Sequence, residues 1–225
     1  MDRRTLIGGG IAGAAVIVAA GGYMYNTRNA AEAQTAINAG DASAVADVDT
    51  SSITEMVLGS ADAPVTMMEY ASFTCPHCRD FHNNVFNQLK TDYIDTGKVK
   101  FIYRDVYFDR YGLWASLIAR CDGGMRFFGI ADMLYEQQDQ WLRNAKSEAD
   151  IADNLRKLGK VAGLSGDTIE ACLADEDKAR TLAAWYQKNA TADDVSGTPT
   201  LIINGEKYSN MSYAELKKIL DKELA

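Results

Sequence analysis

Histidine is scarce in this 225-residue chain: only His77 and His82 occur. That shortage narrows any reading as a metalloprotein, because a structural zinc needs four ligands from His, Cys or carboxylates. Basic residues are also in deficit. Lys and Arg number 23 against 31 Asp and Glu, for a net charge of −8. An acidic chain with no basic stripe argues against a nucleic-acid partner. Internal repeats are absent. Cysteine occurs four times, as Cys75, Cys78, Cys121 and Cys172. An even, small number suits an oxidising compartment without proving one.

The N-terminus reads as an address. Arg3 and Arg4 precede an uncharged run from Thr5 to Asn26, and Ala31-Glu32-Ala33 has the A-x-A form of a cleavage site. A positive end, an apolar middle and a small-residue exit describe a secretory signal over residues 1–33. The run is also about long enough to span a bilayer, so an uncleaved membrane anchor is the alternative. Either way the bulk of the protein is expected outside the cytoplasm, in a periplasmic setting. Arg3-Arg4 is a partial match to a twin-arginine signal, which leaves the export route open. Residues 34–52, rich in Ala, Asp and Ser, read as a flexible leader.

From residue 53 the chain has the length for one domain with a proper core. Val65–Ala71 is a short, mostly apolar run and reads as a buried strand. Ile53–Leu58 reads as an additional edge strand. Cys78, Phe81, Val85 and Leu89 recur at helical spacing until Gly97, and Val99, Phe101 and Tyr103 then alternate as a second strand. Strand, helix, strand implies a parallel pair with a crossover. Residues from about 109 to 190 carry helical periods only, in five segments, with Ser147 as an N-cap. Strand character returns at Pro199–Ile203. Asn204-Gly205 is a hairpin turn, and Ser212 to Glu215 is a capping box opening a last helix. A sheet interrupted by a helical block follows. Trp114, Trp141, Trp185 and Met67-Met68 read as packing residues, and Phe73, Tyr111 and Met211 as the rim of a site for unfolded chains.

Cys75-Pro76-His77-Cys78 carries the chemistry. The two cysteines lie between a buried strand and a helix, three residues apart, so their sulfurs can meet. Cys75 falls at the helix start, where unpaired N–H groups and the dipole favour an anion, and its thiolate should be stabilised. Pro76 needs no N–H donor in the first turn. Cys78 shares a face with Phe81 and Val85 and should be buried. The asymmetry makes Cys75 the sulfur that attacks or is attacked, and Cys78 the one that resolves a mixed disulfide. A protonated His77 would favour the thiolate further. Arg79 stands where a c-type haem motif would need histidine. Zinc remains a competitor, with His82 as a third ligand and no fourth in view.

The run Glu69-Tyr70-Ala71-Ser72-Phe73-Thr74-Cys75-Pro76-His77-Cys78 closely resembles the active site of DsbA-type thiol:disulfide oxidoreductases, and Gly197-Thr198-Pro199-Thr200 resembles their cis-proline loop. The resemblance covers residues 53–224. It implies an α/β thioredoxin fold with an inserted all-helical subdomain at about 109–190. It further implies a cis Pro199, with the Thr198 backbone beside Cys75 to pair with an extended substrate. Glu69 matches the family's buried carboxylate beneath the resolving cysteine, where it would move a proton to or from Cys78. The expected function is a dithiol oxidase acting on unfolded or reduced secreted proteins. A DsbB-like membrane partner would reoxidise it, and the protein would be a monomer with no cofactor and no metal. Thr198 stands where the family's strong oxidant has Val, so a reductase or isomerase of the same fold is the alternative. A non-enzymatic zinc-binding or chaperone module is the other. Cys121 and Cys172 lie on apolar helix faces. Buried free thiols are the bland reading, and an oxidising compartment favours a structural disulfide between them, a feature that some DsbA-like proteins share.

Overall fold

The computed structural model describes residues 47–225, so the leader assignment to 1–33 and most of 34–52 lie outside the described residues. Among those described, no helix is long and apolar enough to cross a membrane.

Five strands form one sheet in the order β1-β3-β2-β4-β5. They are β1 (Met56–Leu58), β2 (Val65–Ala71), β3 (Val99–Asp105), β4 (Thr200–Ile203) and β5 (Glu206–Ser209). β2 and β3 run parallel and the other pairs are antiparallel. The expected edge strand is shorter than the apolar run, because Ile53 leaves the sheet to pack with Tyr107, Leu113 and Trp185. A close backbone approach sets the turn after β1. Gly59 has φ +88°, and a Cβ there would lie 2.4 Å from the Val99 carbonyl oxygen.

Helix α1 spans residues 76–94. It starts as Pro76–Phe81 and continues through wide π-type turns at His82–Phe86 and Lys90–Ile94. The helical block follows β3 as α2 (Arg110–Ala119), α3 (Phe127–Glu136), a short π turn (Asp139–Arg143), α4 (Glu148–Val161), α5 (Gly166–Leu173) and α6 (Glu176–Ala192). The Ser147 hydroxyl accepts from the Asp150 N–H and caps α4. β4 turns into β5 through Asn204 and Gly205, both at positive φ. The expected capping box, Ser212 with Glu215, opens α7 (Tyr213–Glu223).

Alternation along the strands sorts the layers. Val65, Met67, Glu69 and Ala71 share one face of β2 by spacing, and all four are buried. The apolar ones join the main core with Val99, Phe101 and Tyr103 of β3, Cys78, Phe81 and Val85 of α1, and Phe127, Ile130 and Leu134 of α3. Sheet and insertion therefore share one core, although the insertion separates the sheet's two halves in sequence. Phe73 is a correction to the expected rim. It is 1% exposed, stacked on Tyr103 with ring centroids 5.6 Å apart.

Candidate active site

Cys75 occupies the N-cap position of α1 in an extended conformation, with no side-chain cap and Pro76 behind it. The exposed N–H groups of the first turn are therefore free to face its sulfur. Cys75 is 8% exposed and Cys78 fully buried, and both are free thiols. The Cys78 thiol, donating to Cys75, is the largest influence on the Cys75 proton. Burial opposes it, and the contact with Thr198 and the N–H groups of Cys78 and His77 reinforce it. The balance pulls the Cys75 thiol down to about 5. Burial pushes Cys78 far up, helped by its bond to Cys75 and by the charges of Glu69 and Cys75. The two sulfurs are thus held in opposite protonation states near neutral pH.

Across from them lies the Thr198–Pro199 peptide, which is cis. The Thr198 carbonyl oxygen is 3.6 Å from the Cys75 sulfur, as the thiol's acceptor. The Thr198 hydroxyl has no partner in this state. His77 is exposed on the first turn, and what it supplies to Cys75 is its backbone N–H.

Glu69 sits mid-sheet, opposite Tyr103 on β3 and Leu201 on β4, so it is no edge residue. It is 1% exposed, and neither carboxylate oxygen has a hydrogen-bond partner. Burial, then the Cys75 charge, push its carboxyl up to about 8. A neutral, proton-bearing carboxyl at pH 7 is the consequence. The Tyr103 and Tyr135 hydroxyls, 2.6 Å apart and buried, lie in the same electrostatic neighbourhood as Glu69 and Cys78.

Three features escaped sequence reasoning. Gln138, from the insertion, donates its side-chain N–H groups to the carbonyls of Phe73 (2.8 Å) and Cys75 (3.1 Å). His82 is engaged with Asp132 through Nε2 at 2.7 Å and stacks on Phe86. Asp105 and Arg120 form a buried ion pair, with Ser116 and the Thr54 carbonyl completing it. Asp105 had a readable signal: it continues the inward parity of Val99, Phe101 and Tyr103. Gln138 had none, lying in the polar run Gln137-Gln138-Asp139-Gln140.

Cys121 and Cys172 are joined by a disulfide that ties the end of α2 to α5, with Cα atoms 6.0 Å apart. It belongs to the helical subdomain. Among the described residues no group of three His, Cys, Asp or Glu side chains is placed to hold a metal.

The sequence model of the thioredoxin family matches residues 51–222. A putative protein-disulfide oxidoreductase of Rickettsia bellii is 33% identical over 171 residues, which cover 76% of this chain and 64% of the relative. The chain thus spans less than two thirds of that relative's length. Disulfide bond formation protein D of Bacillus subtilis is 27% identical, over 75% of this chain and 76% of the relative. The crystal structure of Wolbachia pipientis alpha-DsbA1 superposes with a TM-score of 0.70 at 26% identity, covering 76% of this chain and 91% of that one. With the cysteine pair at the helix start, the cis-proline loop against it and the helical insertion between the two sheet halves, the chain belongs to the thioredoxin family, as a DsbA-type member.

Proposed function

We propose that the protein is an exported thiol:disulfide oxidoreductase that introduces disulfides into secreted proteins. The observation that carries this reading is the placement of the Cys75 sulfur at the N-cap of α1, with Cys78 buried one turn behind and the cis Thr198–Pro199 loop 3.6 Å across from it. In the oxidised protein a substrate thiolate attacks Cys75. The Cys75–Cys78 bond breaks, its electron pair goes to Cys78, and a mixed disulfide forms at Cys75. Cys78 takes up a proton, for which the Glu69 carboxyl is the buried donor. A second substrate thiolate then attacks the substrate sulfur of the mixed disulfide and expels Cys75 as a thiolate. A thiol of low pKa leaves fast, so the same stabilisation that makes the reduced protein favourable speeds release. Thr198 and Pro199 bind the substrate backbone, and Cys121–Cys172 braces the helical subdomain. A membrane partner of the DsbB kind, accepting two electrons, restores the disulfide. The fold works as a monomer in a periplasmic compartment, reached through the N-terminal signal or anchor.

The reverse direction, as reductase or isomerase, has one observation in its favour, the threonine at 198. The potential of the pair decides between them. Oxidised protein is mixed with a reduced, unfolded two-thiol polypeptide, and the disulfides formed are counted. One disulfide per protein is expected, and none with Cys75→Ser. Equal yields from both proteins overturn the reading. A pair more reducing than glutathione would move the assignment to the reductase side.

A further inference from the structure

Besides Asp109, which accepts from the Thr74 hydroxyl at 2.9 Å, and the rings of Phe127 and Tyr135 against Phe73, the insertion reaches the active site through two consecutive residues, Gln138 and Asp139. Gln138 is 1% exposed and caps the short π turn between α3 and α4. Its amide nitrogen carries two hydrogens, and both are used, on the carbonyls of Phe73 and Cys75. Two converging carbonyls fix which end of the amide faces the loop, because the flipped amide would set oxygen against oxygen. The side-chain oxygen is buried and unpartnered, so this orientation is held by those two bonds alone. Asp139 takes the other side of the same turn: it accepts from Arg79 at 3.0 Å, one residue beyond Cys78.

The carbonyl bond at Cys75 is shared. Cys75 O also receives the Arg79 N–H at 3.1 Å, the first helical bond of α1. Phe73 is fixed from its side-chain end by stacking on Tyr103, and Cys75 N–H is tied to Ser72 O at 3.1 Å. The Phe73 carbonyl has its bond from Gln138, and loop residues 73–75 decide where the Cys75 sulfur lies relative to the α1 N–H groups and to Thr198.

We infer that Gln138 is the positioning residue through which the helical insertion sets the Phe73–Cys75 loop, and hence the placement of the Cys75 sulfur against the helix start. This rests on the thiol-exchange reading above. Its amide also turns its positive end toward the loop that carries the thiolate, so it favours the anion by orientation as well as by position. A net intramolecular hydrogen bond is worth about 1 kcal/mol. Loss of one that bears on the thiolate should weaken Cys75 ionisation by about fivefold to tenfold. The dithiol–disulfide equilibrium shifts by the same factor, about 20–30 mV toward a weaker oxidant.

The test uses the full chain with Gln138→Met, which keeps the length and removes both donors. Gln138→Glu is the second variant; it keeps the shape and, once ionised, sets oxygen against the two carbonyls. Ser212→Ala, which removes the α7 capping box, is the control for lost stability away from the site. Thiolate absorbance against pH and the equilibrium constant with glutathione are read for all four proteins. Both Gln138 variants are expected to titrate Cys75 at higher pH, Gln138→Glu furthest, with equilibrium constants shifted at least fivefold, while Ser212→Ala matches wild type. Wild-type values for both Gln138 variants overturn the inference. So does an equal shift in Ser212→Ala, which would mean the site responds to general destabilisation. A wild-type protein that exchanges no disulfide with glutathione would sink the functional reading itself, a separate outcome.

Discussion

Raising the pH should shift the Cys75–Cys78 potential along a line with a bend near pH 5. Cys75 ionises at about 5, against 9.0 for an unperturbed thiol, and Cys78 keeps its proton throughout the accessible range. Below the bend, reduction takes up two protons and the potential falls by about 59 mV per pH unit. Above it, Cys75 is reduced directly to thiolate, one proton is taken up, and the slope halves to about 30 mV. An ordinary dithiol keeps the steep slope to about pH 9. At pH 7 the extra ionisation favours the reduced protein by about 2 powers of ten, or about 2.7 kcal/mol. That corresponds to a pair about 60 mV more oxidising than one with an unshifted thiol. Glu69 is raised first by burial, which both redox states share, so it adds little beyond a gentle steepening near pH 8. The sign for stability follows from the lowered pKa. The advantage of the reduced fold is complete above the unfolded thiol's pKa and is lost as pH falls through about 5. Equilibration against glutathione from acid to alkaline pH, with thiolate absorbance read alongside, measures both slope and bend. A steep line through pH 6–8, with no thiolate signal until pH 8 or above, would refute the reasoning.

Glu69→Gln should stabilise the reduced protein at neutral pH by about 2–3 kcal/mol. The raised carboxyl contributes stability that is intact below the unfolded value of 4.5 and lost as pH rises toward 8, and the amide removes that loss. Denaturant titrations at pH 4 and pH 7.5 check it, and equal differences at the two pH values would contradict it. Arg120→Met should cost about 3–5 kcal/mol, because Asp105 is left as a buried, unpaired charge; the double variant with Asp105→Leu should recover much of that in the same denaturant assay. Serine at both Cys121 and Cys172 should lower stability by about 4 kcal/mol in the chain-entropy picture, for a separation of 51 residues. Its effect on the Cys75–Cys78 potential should be small, and a large change there would place that bridge in the redox site.

Local patterns carried most of the architecture. The alternation of Val99, Phe101 and Tyr103, the Asn204-Gly205 turn and the Ser212 capping box each act over a few residues, and each appears in place. Cys75 and Cys78 were legible for the same reason: helix geometry alone puts one sulfur at the N-terminus and the other one turn behind. What the sequence hid is pairing across the insertion. Gln138 meets residues 63–65 positions earlier, and nothing in a polar run distinguishes a buried amide from a solvated one. His82 was visible as a neighbour of Cys78 by spacing, but its partner Asp132 lies 50 residues on, in α3. Phe73 failed as a rim residue because three aromatic rings, from Tyr103, Phe127 and Tyr135, converge on it only once the insertion folds back.

The buried groups around the cysteine pair are a net cost to the fold, and that cost has a direction. Glu69 has two oxygens without partners in the middle of the sheet, which no stability argument would place there. An apolar residue would pack the same position more favourably. Its charge opposes ionisation of Cys78, and the Cys75 charge opposes its own. Two acids and one thiolate in one low-dielectric pocket therefore hold a single negative charge at neutral pH, on Cys75. Oxidation removes that charge, so the carboxyl is freer to ionise when the disulfide is present and holds its proton more firmly when it is absent. The carboxyl is therefore readier to release its proton while the disulfide is present, which suits it to supply the proton that Cys78 takes up as the disulfide is reduced. Replacing Glu69 should accordingly stabilise the protein and slow exchange at Cys78 together, a combination that a purely structural role for the carboxyl does not produce.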